Sequence, residues 1–297
     1  MLSRCMSRTI SIIGAGRVGQ ALAKRLHQLG WRVGVVVTRS PATSRAAVRA
    51  IGAGAARAKL TRDILNADVM LISTPDGALV GVARNLAALG ATPGAKSWRG
   101  KIVLHTSGAL GHSVLAPLAR RGASTASMHP MQTFSGRDTP NLRGIIFSIE
   151  GAPAACRIAE KIARSFGGTP VLIHGKHKPV YHAAGTTVAG HALALVESAS
   201  RTLRSIGFTR RRANQALLPL IRQMLDNYER LGPQAAWTGP LSRSDYATIA
   251  AHAKALRKFP VEFGEAYAAL ALLSARTLSH KPAAMKKKID RALKRRS

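Results

Sequence analysis

The stretch Thr9-Ile-Ser-Ile-Ile-Gly-Ala-Gly-Arg-Val-Gly19 decides the fold of the N-terminal part of this chain. Five strand-like residues lead directly into Gly14, Gly16 and Gly19, which have the G-x-G-x-x-G spacing. A helical pattern of apolar side chains follows and ends at Gly30. The order of strand, tight turn and helix is typical of a site for the pyrophosphate of a dinucleotide. A Gly-rich turn without a ligand is the simpler alternative, and this local context favours the dinucleotide site.

Each glycine of this loop has an expected task. Gly14 makes the turn, Gly16 lets the pyrophosphate approach the backbone, and Gly19 lets helix and strand pack closely. We expect the phosphates to lie at the positive end of the following helix. The predicted cofactor contacts in the loop are Gly14, Ala15, Gly16, Arg17, Val18 and Gly19.

The end of the second strand indicates which dinucleotide binds. The strand pattern from Trp31 to Thr38 leads into Arg39 and Ser40. Proteins that bind NAD usually carry Asp or Glu here, which bonds the ribose 2′-hydroxyl. A guanidinium instead holds a 2′-phosphate by two hydrogen bonds, and a serine hydroxyl can add another. The sequence therefore predicts NADP or NADPH, with NAD less favoured, and the alternative is that Arg39 is only a solvated cation.

The composition is strongly basic, with 45 Lys and Arg residues against 13 Asp and Glu and a formal charge of +32. Such a charge attracts anionic substrates and polyanions at low salt. The segment Met285–Ser297 combines an apolar stripe with many cations and could contact nucleic acid or an anionic membrane. We favour a frayed, solvated end, because no nucleic-acid recognition module accompanies the segment.

Cysteine usage and hydropathy bear on the compartment. Cys5 and Cys156 form neither a disulfide framework nor a C-x-x-C motif, so we expect a reducing, cytoplasmic environment. Residues 1–8 are a short basic lead before the first strand, so we expect no targeting peptide. No apolar run has the length needed to span a bilayer.

The order of strand and helix patterns predicts the fold class. Strands and helices alternate up to about residue 175, and only helical patterns follow. This order predicts an α/β fold, a Rossmann doubly wound parallel sheet, followed by a smaller all-helical domain. We place a dinucleotide-binding domain at residues 1–175 and a helical domain for substrate binding and dimerisation at residues 176–297.

Polar clusters that directly follow strands predict a cleft. Thr74–Asp76, His105–Gly108 and His129–Phe134 each come after an apolar strand pattern. Loops after parallel strands emerge at the same carboxyl edge of the sheet, so we expect these three clusters to converge beside the glycine loop.

Four motifs carry a resemblance to a known family: His105-Thr-Ser-Gly108, His129-Pro-Met-Gln-Thr-Phe134, Tyr181-His-Ala-Ala184 and Thr238-Gly-Pro-Leu-Ser-Arg-Ser-Asp245. Together they resemble Rossmann-like proteins with a C-terminal domain of unknown function 2520, a branch of the 6-phosphogluconate dehydrogenase-like NADP oxidoreductases. The resemblance spans residues 8 to 278. It implies a dinucleotide-dependent oxidoreductase of a small-molecule substrate, commonly a homodimer through the helical domain. The family usually has Arg-Gly-Asp in the last motif, where this chain has Ser244.

Hydride transfer needs a group that gives or takes a proton, and His129 is the first candidate. A histidine hydrogen-bonded for structure is the alternative for His129, and His105 fits either role. Ser107 can bond a substrate oxygen, and His182 opens the helix that follows the sheet. The predicted catalytic residues are His129, Ser107 and His182. Further cofactor contacts are Arg39, Ser40, Thr74, Pro75 and Asp76, and the substrate contacts are His105, Gln132, Thr186, Arg243 and Asp245.

Two clusters leave alternatives open. Arg243 could clamp a substrate carboxylate with Asp245 orienting it, or the two could form a capping ion pair. His174, His177 and His182 invite a metal interpretation, but no carboxylate or thiolate joins them at a usual spacing, so we predict no metal.

The sequence favours an NADP-dependent oxidoreductase that reduces or oxidises a C=O or C=N bond of a small, anionic metabolite. One alternative is a dinucleotide-binding regulator or scaffold without turnover. Another is that the basic surface serves nucleic-acid binding, which we do not expect to be the main function.

Overall fold

A computed structural model describes residues 8–90, 97–136 and 139–294 of the chain. It divides into two compact units, residues 1–189 and 190–297. The first unit contains a helix that the sequence analysis placed after the boundary at residue 175. This helix belongs to the first unit because its Lys178 side chain donates a hydrogen bond to Ser127 of the sheet.

The first unit is built on one sheet. Within the described residues its strands are β1 Thr9–Ile13, β2 Arg32–Val37, β3 Ala55–Arg57, β4 Val69–Ile72, β5 Ile102–His105, β6 Ser124–Pro130, β7 Ile146–Gly151 and β8 Thr169–Leu172. The strand order is β3-β2-β1-β4-β5-β6-β7-β8. The chain order therefore reverses between β2 and β4 at the central strand β1, which is the switch point where ligands bind in doubly wound sheets.

The predicted Rossmann-type sheet with a helical C-terminal part is confirmed, with one correction. The neighbouring strands from β3 to β6 pair in parallel, whereas β7 pairs antiparallel with β6, and β8 is parallel to β7. A parallel return usually needs a helical crossover. The described part of the connection from β6 to β7 contains no helix, so the chain returns in the opposite direction.

Helices cover both faces of this sheet because its strands are apolar on both faces. The helices of the first unit are α1 Arg17–Gln28, α2 Pro41–Ile51, α3 Asp76–Leu89, α4 Ala116–Ala119, α5 Pro153–Ser165 and α6 Lys178–Thr186. In β4, Val69 and Leu71 belong to the core shared with α1 and α5, whereas Met70 and Ile72 belong to the core shared with α3. This alternation follows the two-residue period of a strand, and each such side chain contributes about 1.5–3 kcal/mol on burial.

The second unit consists of helices. They are α7 Ala192–Arg204, α8 Arg210–Ala236, α9 Tyr246–Leu256, α10 Val261–Leu278 and α11 Pro282–Lys294. Gly232 interrupts α8, since its φ of +77° is not helical. No helix within the described residues combines the length and the apolar character that a membrane crossing requires.

The basic C-terminal segment is not a frayed end over its described part. Met285 and Ile289 of α11 are buried against Ala271 and Ala275 of α10, and Leu293 packs beside them. The spacing of four residues places these side chains on one face of the helix, where they complete the apolar core. The prediction of a solvated end is therefore wrong for residues 285–294, and residues 295–297 lie outside the described part.

Ser244, which stands where the family usually has Gly, has a φ of +58°. This is the left-handed region, which costs an L-residue roughly 1–2 kcal/mol relative to Gly. The next residue, Asp245, caps α9, because its side chain accepts a hydrogen bond from the backbone N–H of Thr248 at 3.0 Å. Ser244 therefore adopts at a conformational cost a backbone conformation that Gly adopts freely.

Candidate functional site

The glycine loop joins β1 to α1, and its first glycine has a conformation that other residues rarely adopt. Gly14 has a φ of +82°. A Cβ atom on Gly14 would lie 2.5 Å from Cγ2 and 2.8 Å from the backbone nitrogen of Thr74. The loop is further held by the N–H of Gly14, which donates to the carbonyl of Val37 at 2.9 Å. Both the turn and the close approach to β4 therefore require Gly at this position.

The other two glycines differ in what surrounds them. A Cβ atom on Gly19 would lie 2.9 Å from the carbonyl oxygen of Gly14, so Gly19 permits close packing of helix and strand. A Cβ atom on Gly16 would meet no atom within 4 Å, and Gly16 is exposed. The first backbone N–H groups of α1, starting at Arg17, have no acceptor inside the helix. The open side of Gly16 therefore gives an anion direct access to these donors.

Thr74 follows β4 and lies against the glycine loop. Its Oγ1 atom is buried and has no hydrogen-bond partner among the described residues. Pro75 is the N-cap of α3, and Asp76 is its first residue, so a second helix begins beside the loop. A buried polar atom without a partner is rare in proteins and is consistent with a ligand position.

Arg39 lies between β2 and α2, where the sequence predicts recognition of the ribose. Its side chain is exposed and makes no hydrogen bond or ion pair with any residue that the structure describes. Ser40 is the N-cap of α2, and its Oγ accepts from the backbone N–H of Thr43 at 3.2 Å. Thr43 also bonds Thr38 between hydroxyl oxygens at 2.6 Å. A guanidinium and a cluster of hydroxyls therefore meet at a helix N-terminus, and the sequence analysis did not include Thr43.

The loops after β4 and β5 contact each other, and the loop after β5 also reaches His129 near the end of β6. Thr106 donates from its hydroxyl to Ser73 Oγ at 3.1 Å, which joins the loops after β4 and β5. A Cβ atom on Gly108 would lie 2.8 Å from His129 Nε2 on β6 and would collide with the ring of His182. Gly108 therefore allows the β5 loop to approach both histidine rings.

Helix α6 and strand β6 form a polar contact that we call the α6–β6 seam: Ser127, His129, Lys178, Tyr181 and His182. The three α6 residues have the spacing i, i+3 and i+4 and share one helix face, and the two β6 residues share one sheet face. Lys178 Nζ donates to Ser127 Oγ at 2.6 Å, and the Tyr181 hydroxyl is hydrogen-bonded to His129 Nδ1 at 3.2 Å. His182 lies edge-on to His129 with 5.7 Å between ring centroids.

The charges in this seam depend on burial. Lys178 is fully buried, and burial lowers its pKa to about 8, although the carboxylates of Glu150 and Asp76 partly offset this. Burial also lowers the pKa of His129 to about 4, and the nearby Lys178 and His182 add to this effect. His129 is therefore neutral at pH 7 and is a poor proton donor there, whereas Lys178 is mostly protonated. This changes our first candidate for the proton-donating group from His129 to Lys178.

His105 and Ser107 hold the loop after β5. His105 is fully buried, its Nδ1 accepts from the Ser107 backbone N–H, and its Nε2 is within 3.2 Å of the Gly111 carbonyl. Burial is the main cause that lowers the pKa of His105 to about 3. Ser107 Oγ accepts from the backbone N–H groups of Ala109 and Leu110. We therefore revise both roles from substrate contact and catalysis to positioning of the loop.

The remaining predicted residues lie outside the seam. Gln132 closes its own loop, since its Nε2 donates to the carbonyl of Asn141 at 3.3 Å. Thr186 is exposed at the end of α6. Asp245 in the second unit accepts hydrogen bonds from Thr248, chiefly from its hydroxyl, which lower the pKa of its carboxyl. For Asp245 the capping interpretation is therefore the one that the geometry supports, and no ion pair with Arg243 occurs among the described contacts.

Metal ligands do not gather in the described part of the chain. It contains no group of three or more His, Cys, Asp and Glu side chains that could hold an ion. His174 and His177 are neighbours with 6.1 Å between ring centroids, and His174 Nδ1 accepts from the backbone N–H of Lys176. The His174 side chain therefore helps to shape the turn before α6.

Two family models match the chain, and the boundary between them lies earlier in the sequence than the boundary between the two compact units. A Rossmann-like domain matches residues 4–130, and a domain of unknown function, number 2520, matches residues 145–273. The chain is a Rossmann-like protein with a 2520 domain. The 2520 domain begins at β7, so it contributes Glu150 and the whole of α6 to the first compact unit. No curated protein sequence matches the chain.

Solved structures share this fold over nearly the whole chain. A proposed NADP oxidoreductase from Bacteroides fragilis is 21% identical with a TM-score of 0.74, covering 95% of this chain and 98% of that one. A reductive aminase from Aspergillus terreus, in complex with NADPH4, cyclohexanone and allyl amine, is 16% identical with a TM-score of 0.66, covering 96% and 99%. A pyrroline-5-carboxylate reductase from Streptococcus pyogenes is 14% identical with a TM-score of 0.59, covering 96% and 98%.

Sequence reasoning did not name Ser127 or Lys178 of the seam, and it quoted Tyr181 within a motif without giving it a role. The signal that could have found Lys178 and Tyr181 is the Lys-x-x-Tyr-His order at the start of a helix directly after the last strand. Such spacing puts three polar side chains on one helix face. Only the fold shows that this face turns toward Ser127 and His129 and not toward solvent.

Proposed function

We propose that this protein is an NADP-dependent oxidoreductase that transfers a hydride between a nicotinamide cofactor and a C=O or C=N bond of a small metabolite. The observation that carries the proposal is the open space at Gly16 beside the unpaired backbone donors of α1. The unpartnered Arg39 at the end of β2 supports NADP over NAD. The matched folds include a reductive aminase and a pyrroline-5-carboxylate reductase, which supports a reduction of this class.

The residues present fit such a cofactor. The glycine loop, the buried Thr74 hydroxyl and Arg39 would hold its phosphates and ribose, and a bound NADPH would supply the hydride. When a C=O or C=N bond is reduced, the oxygen or nitrogen gains an electron pair and must receive a proton. Lys178 Nζ–H is our candidate donor, since a group with a pKa of about 8 is matched to this task near neutral pH.

The other residues of the seam orient the Lys178 ammonium group and keep water away from it. Ser127 accepts one of the three N–H bonds of the ammonium group and fixes its direction. Neutral His129 and Tyr181 form a hydrogen-bonded pair beside it, which can orient a substrate oxygen or nitrogen without adding charge. The net charge of +32 supports an anionic substrate, because the field of the protein concentrates anions.

The free thiol of Cys156 is buried, and we propose a cytoplasmic location on the cysteine usage of the chain.

The cofactor preference can be measured with Arg39→Asp. In the native protein, NADPH and NADP are expected to raise the melting temperature more than NADH and NAD, because a bound ligand stabilises the folded state. Arg39→Asp removes charge-assisted hydrogen bonds and is expected to weaken NADPH binding by about 10- to 100-fold. NADH binding is expected to improve, because Asp accepts a bond from the 2′-hydroxyl. Calorimetric titration with the four nucleotides gives the affinities for NADPH and for NADH.

Arg49→Asp is the matched control for this experiment. Arg49 is also exposed and lies in the last turn of α2, so it undergoes the same charge change away from the helix N-terminus. Its nucleotide preference is expected to be native. Equal affinity of the native protein for NADPH and NADH would contradict the NADP assignment. Tight NADPH binding without turnover of any metabolite would favour a regulator or scaffold.

We propose that the protein is a homodimer through its helical domain. Helix α8 has only Ala213 buried, although it carries many apolar residues. Its large exposed apolar side chains are Leu218, Leu220, Met224, Leu225, Tyr228 and Leu231. Soluble monomers rarely expose so continuous an apolar patch, and a second copy of the same helix supplies an apolar surface that covers it.

The double variant Leu220→Glu and Met224→Glu is expected to be monomeric at micromolar concentration. It places two carboxylates on the apolar face, and burying them against a partner would cost several kcal/mol. Light scattering after gel filtration is expected to show twice the 31.4 kDa chain mass for the native protein and a single chain for the variant. Asp226→Lys changes the charge on the opposite, polar side of the same helix, where its helical neighbours are Arg222 and Arg230, and is expected to remain dimeric. A native monomer would rule the dimer out.

A further inference from the structure

We propose that Glu150 is a positioning residue for Lys178: it ties the loops on both sides of Lys178 to strand β7 and places a carboxylate opposite the buried ammonium group. This inference rests on the proposed function for the catalytic part of its role, because Lys178 is the proton donor proposed there. The effect of the Glu150 charge on the titration of Lys178 can be measured without turnover.

Glu150 has the required position in the sheet. It lies on β7 directly opposite Ser127 of β6, the residue that bonds Lys178 Nζ. Partners in register project on the same face of a sheet, so Glu150 faces the side on which α6 packs. Its side chain is only 12% exposed. A carboxylate this deeply buried requires hydrogen-bond donors or a cation nearby.

The donors come from the loop after β5. The backbone N–H of His112 donates to Glu150 Oε2 at 2.7 Å, and His112 Nδ1 bonds Oε1. The adjacent Gly111 packs against the same carboxylate, since a Cβ atom on it would lie 3.4 Å from Oε2. Gly111 also accepts the hydrogen bond of His105. Glu150 therefore anchors the loop that carries Gly108 against the histidine rings.

On its other side, Glu150 contacts the turn before α6. A Cβ atom on Gly175 would lie 2.9 Å from Oε1, so the backbone of this turn passes close to the carboxylate. The turn, residues 175–177, leads directly into Lys178. The Glu150 carboxylate therefore contacts both the turn that precedes Lys178 and the loop after β5. A shift of this carboxylate would move both segments.

Titratable side chains on four neighbouring elements lie around Lys178. Glu150 on β7 and Asp76 at the start of α3 favour the protonated ammonium, whereas His129 on β6 and His105 on β5 are neutral at pH 7. Glu150 is the larger of the two carboxylate effects. Since burial disfavours the charge on Lys178, loss of Glu150 is expected to lower the pKa of the lysine further.

The test is a direct titration of Lys178 in the full-length protein by NMR of the lysine Cε and Nζ atoms, with the signal assigned by its loss in Lys178→Met. The midpoint is expected near pH 8 in the native protein. Glu150→Gln keeps an acceptor for His112 but removes the charge, and is expected to lower the midpoint by about 1 pH unit. If the proposed reaction occurs, the pH above which reduction slows should fall by the same amount.

Glu160→Gln is the matched control, because Glu160 lies on α5 in the same unit and contacts Arg164 at 3.9 Å. In this variant the titration midpoint of Lys178 is expected to equal that of the native protein. If Glu150→Gln does not fold, Glu150→Asp withdraws the charge by one methylene group and should lower the midpoint less. An unchanged midpoint in a folded Glu150 variant would overturn the inference. A shifted midpoint without hydride transfer to any metabolite would instead contradict the proposed function and leave the electrostatic role of Glu150 intact.

Discussion

Replacement of Lys178 by Met is expected to lower the rate of hydride transfer by about 10²- to 10⁴-fold, which is the usual contribution of a positioned general acid. Met has nearly the same length and is apolar, so it fills the buried space of Lys178 without a cavity. NADPH affinity is expected to remain native, because the glycine loop and Arg39 are unchanged. Single-turnover kinetics with saturating NADPH measures the rate of hydride transfer, and a binding titration measures the NADPH affinity separately.

The pH dependence of the native enzyme provides a second measure of the same group. Only the protonated lysine can donate, so reduction is expected to be fastest below pH 8 and to slow as pH rises through this value. The opposite direction of reaction, oxidation, needs the neutral amine and should speed up over the same range. His129 has a pKa of about 4 and is expected to produce no change between pH 6 and pH 9.

The control for this prediction is Lys161→Met, which removes an exposed lysine from α5 in the same unit. Its rate and its pH profile are expected to be native. If Lys178→Met kept the native rate, or if His129→Asn alone removed the pH dependence, the assignment of the proton donor to Lys178 would be wrong.

Replacement of Gly16 by Val is expected to weaken NADPH binding by about 100-fold while the protein stays folded. The side chain would occupy the open space at Gly16, which no protein atom approaches within 4 Å, and would keep the pyrophosphate from the N–H groups of α1. Loss of two charge-assisted hydrogen bonds of about 1.5 kcal/mol each corresponds to roughly this factor. Calorimetric titration measures the affinity, and thermal unfolding without nucleotide measures the stability.

Gly14→Val serves as the contrasting variant. Its left-handed φ of +82° alone costs an L-residue roughly 1–2 kcal/mol, and the new side chain would collide with Thr74. This variant is therefore expected to lose stability even without nucleotide, whereas Gly16→Val is not. If Gly16→Val bound NADPH with native affinity, the phosphate site would not lie at the start of α1.

Much of the Rossmann-like part could be predicted from local patterns. β1 and α1 lie at the predicted positions, because β-branched runs, turn glycines and a helical apolar stripe are all short-range signals. The reversal of β7 was not predicted, since strand direction depends on the path of the connection and not on the strand's own residues. The packing of α11 was underestimated for a related reason: its stripe becomes a core only when α10 lies beside it.

The candidate site divides in the same way. Gly14, Gly16, Gly19 and Arg39 could be found from spacing, because the expected ligand contacts consecutive backbone groups and one residue at a set distance along the chain. Lys178 was not singled out among 45 Lys and Arg residues, because the Lys-x-x-Tyr-His order indicates a shared helix face but not whether that face is buried or solvated. Its distinction is burial, which no local pattern encodes.

The sequence by itself determined the order of strands and helices, the glycine turn that only Gly14 can make, and the family to which the chain belongs. The tertiary structure alone decided which polar side chains lose water. Packing of α6 on β6 buries Lys178 beside Ser127, makes His129 neutral and sets Glu150 across from the ammonium group. The physical reason is that pKa values follow desolvation and nearby charge, and both depend on residues far apart in the chain.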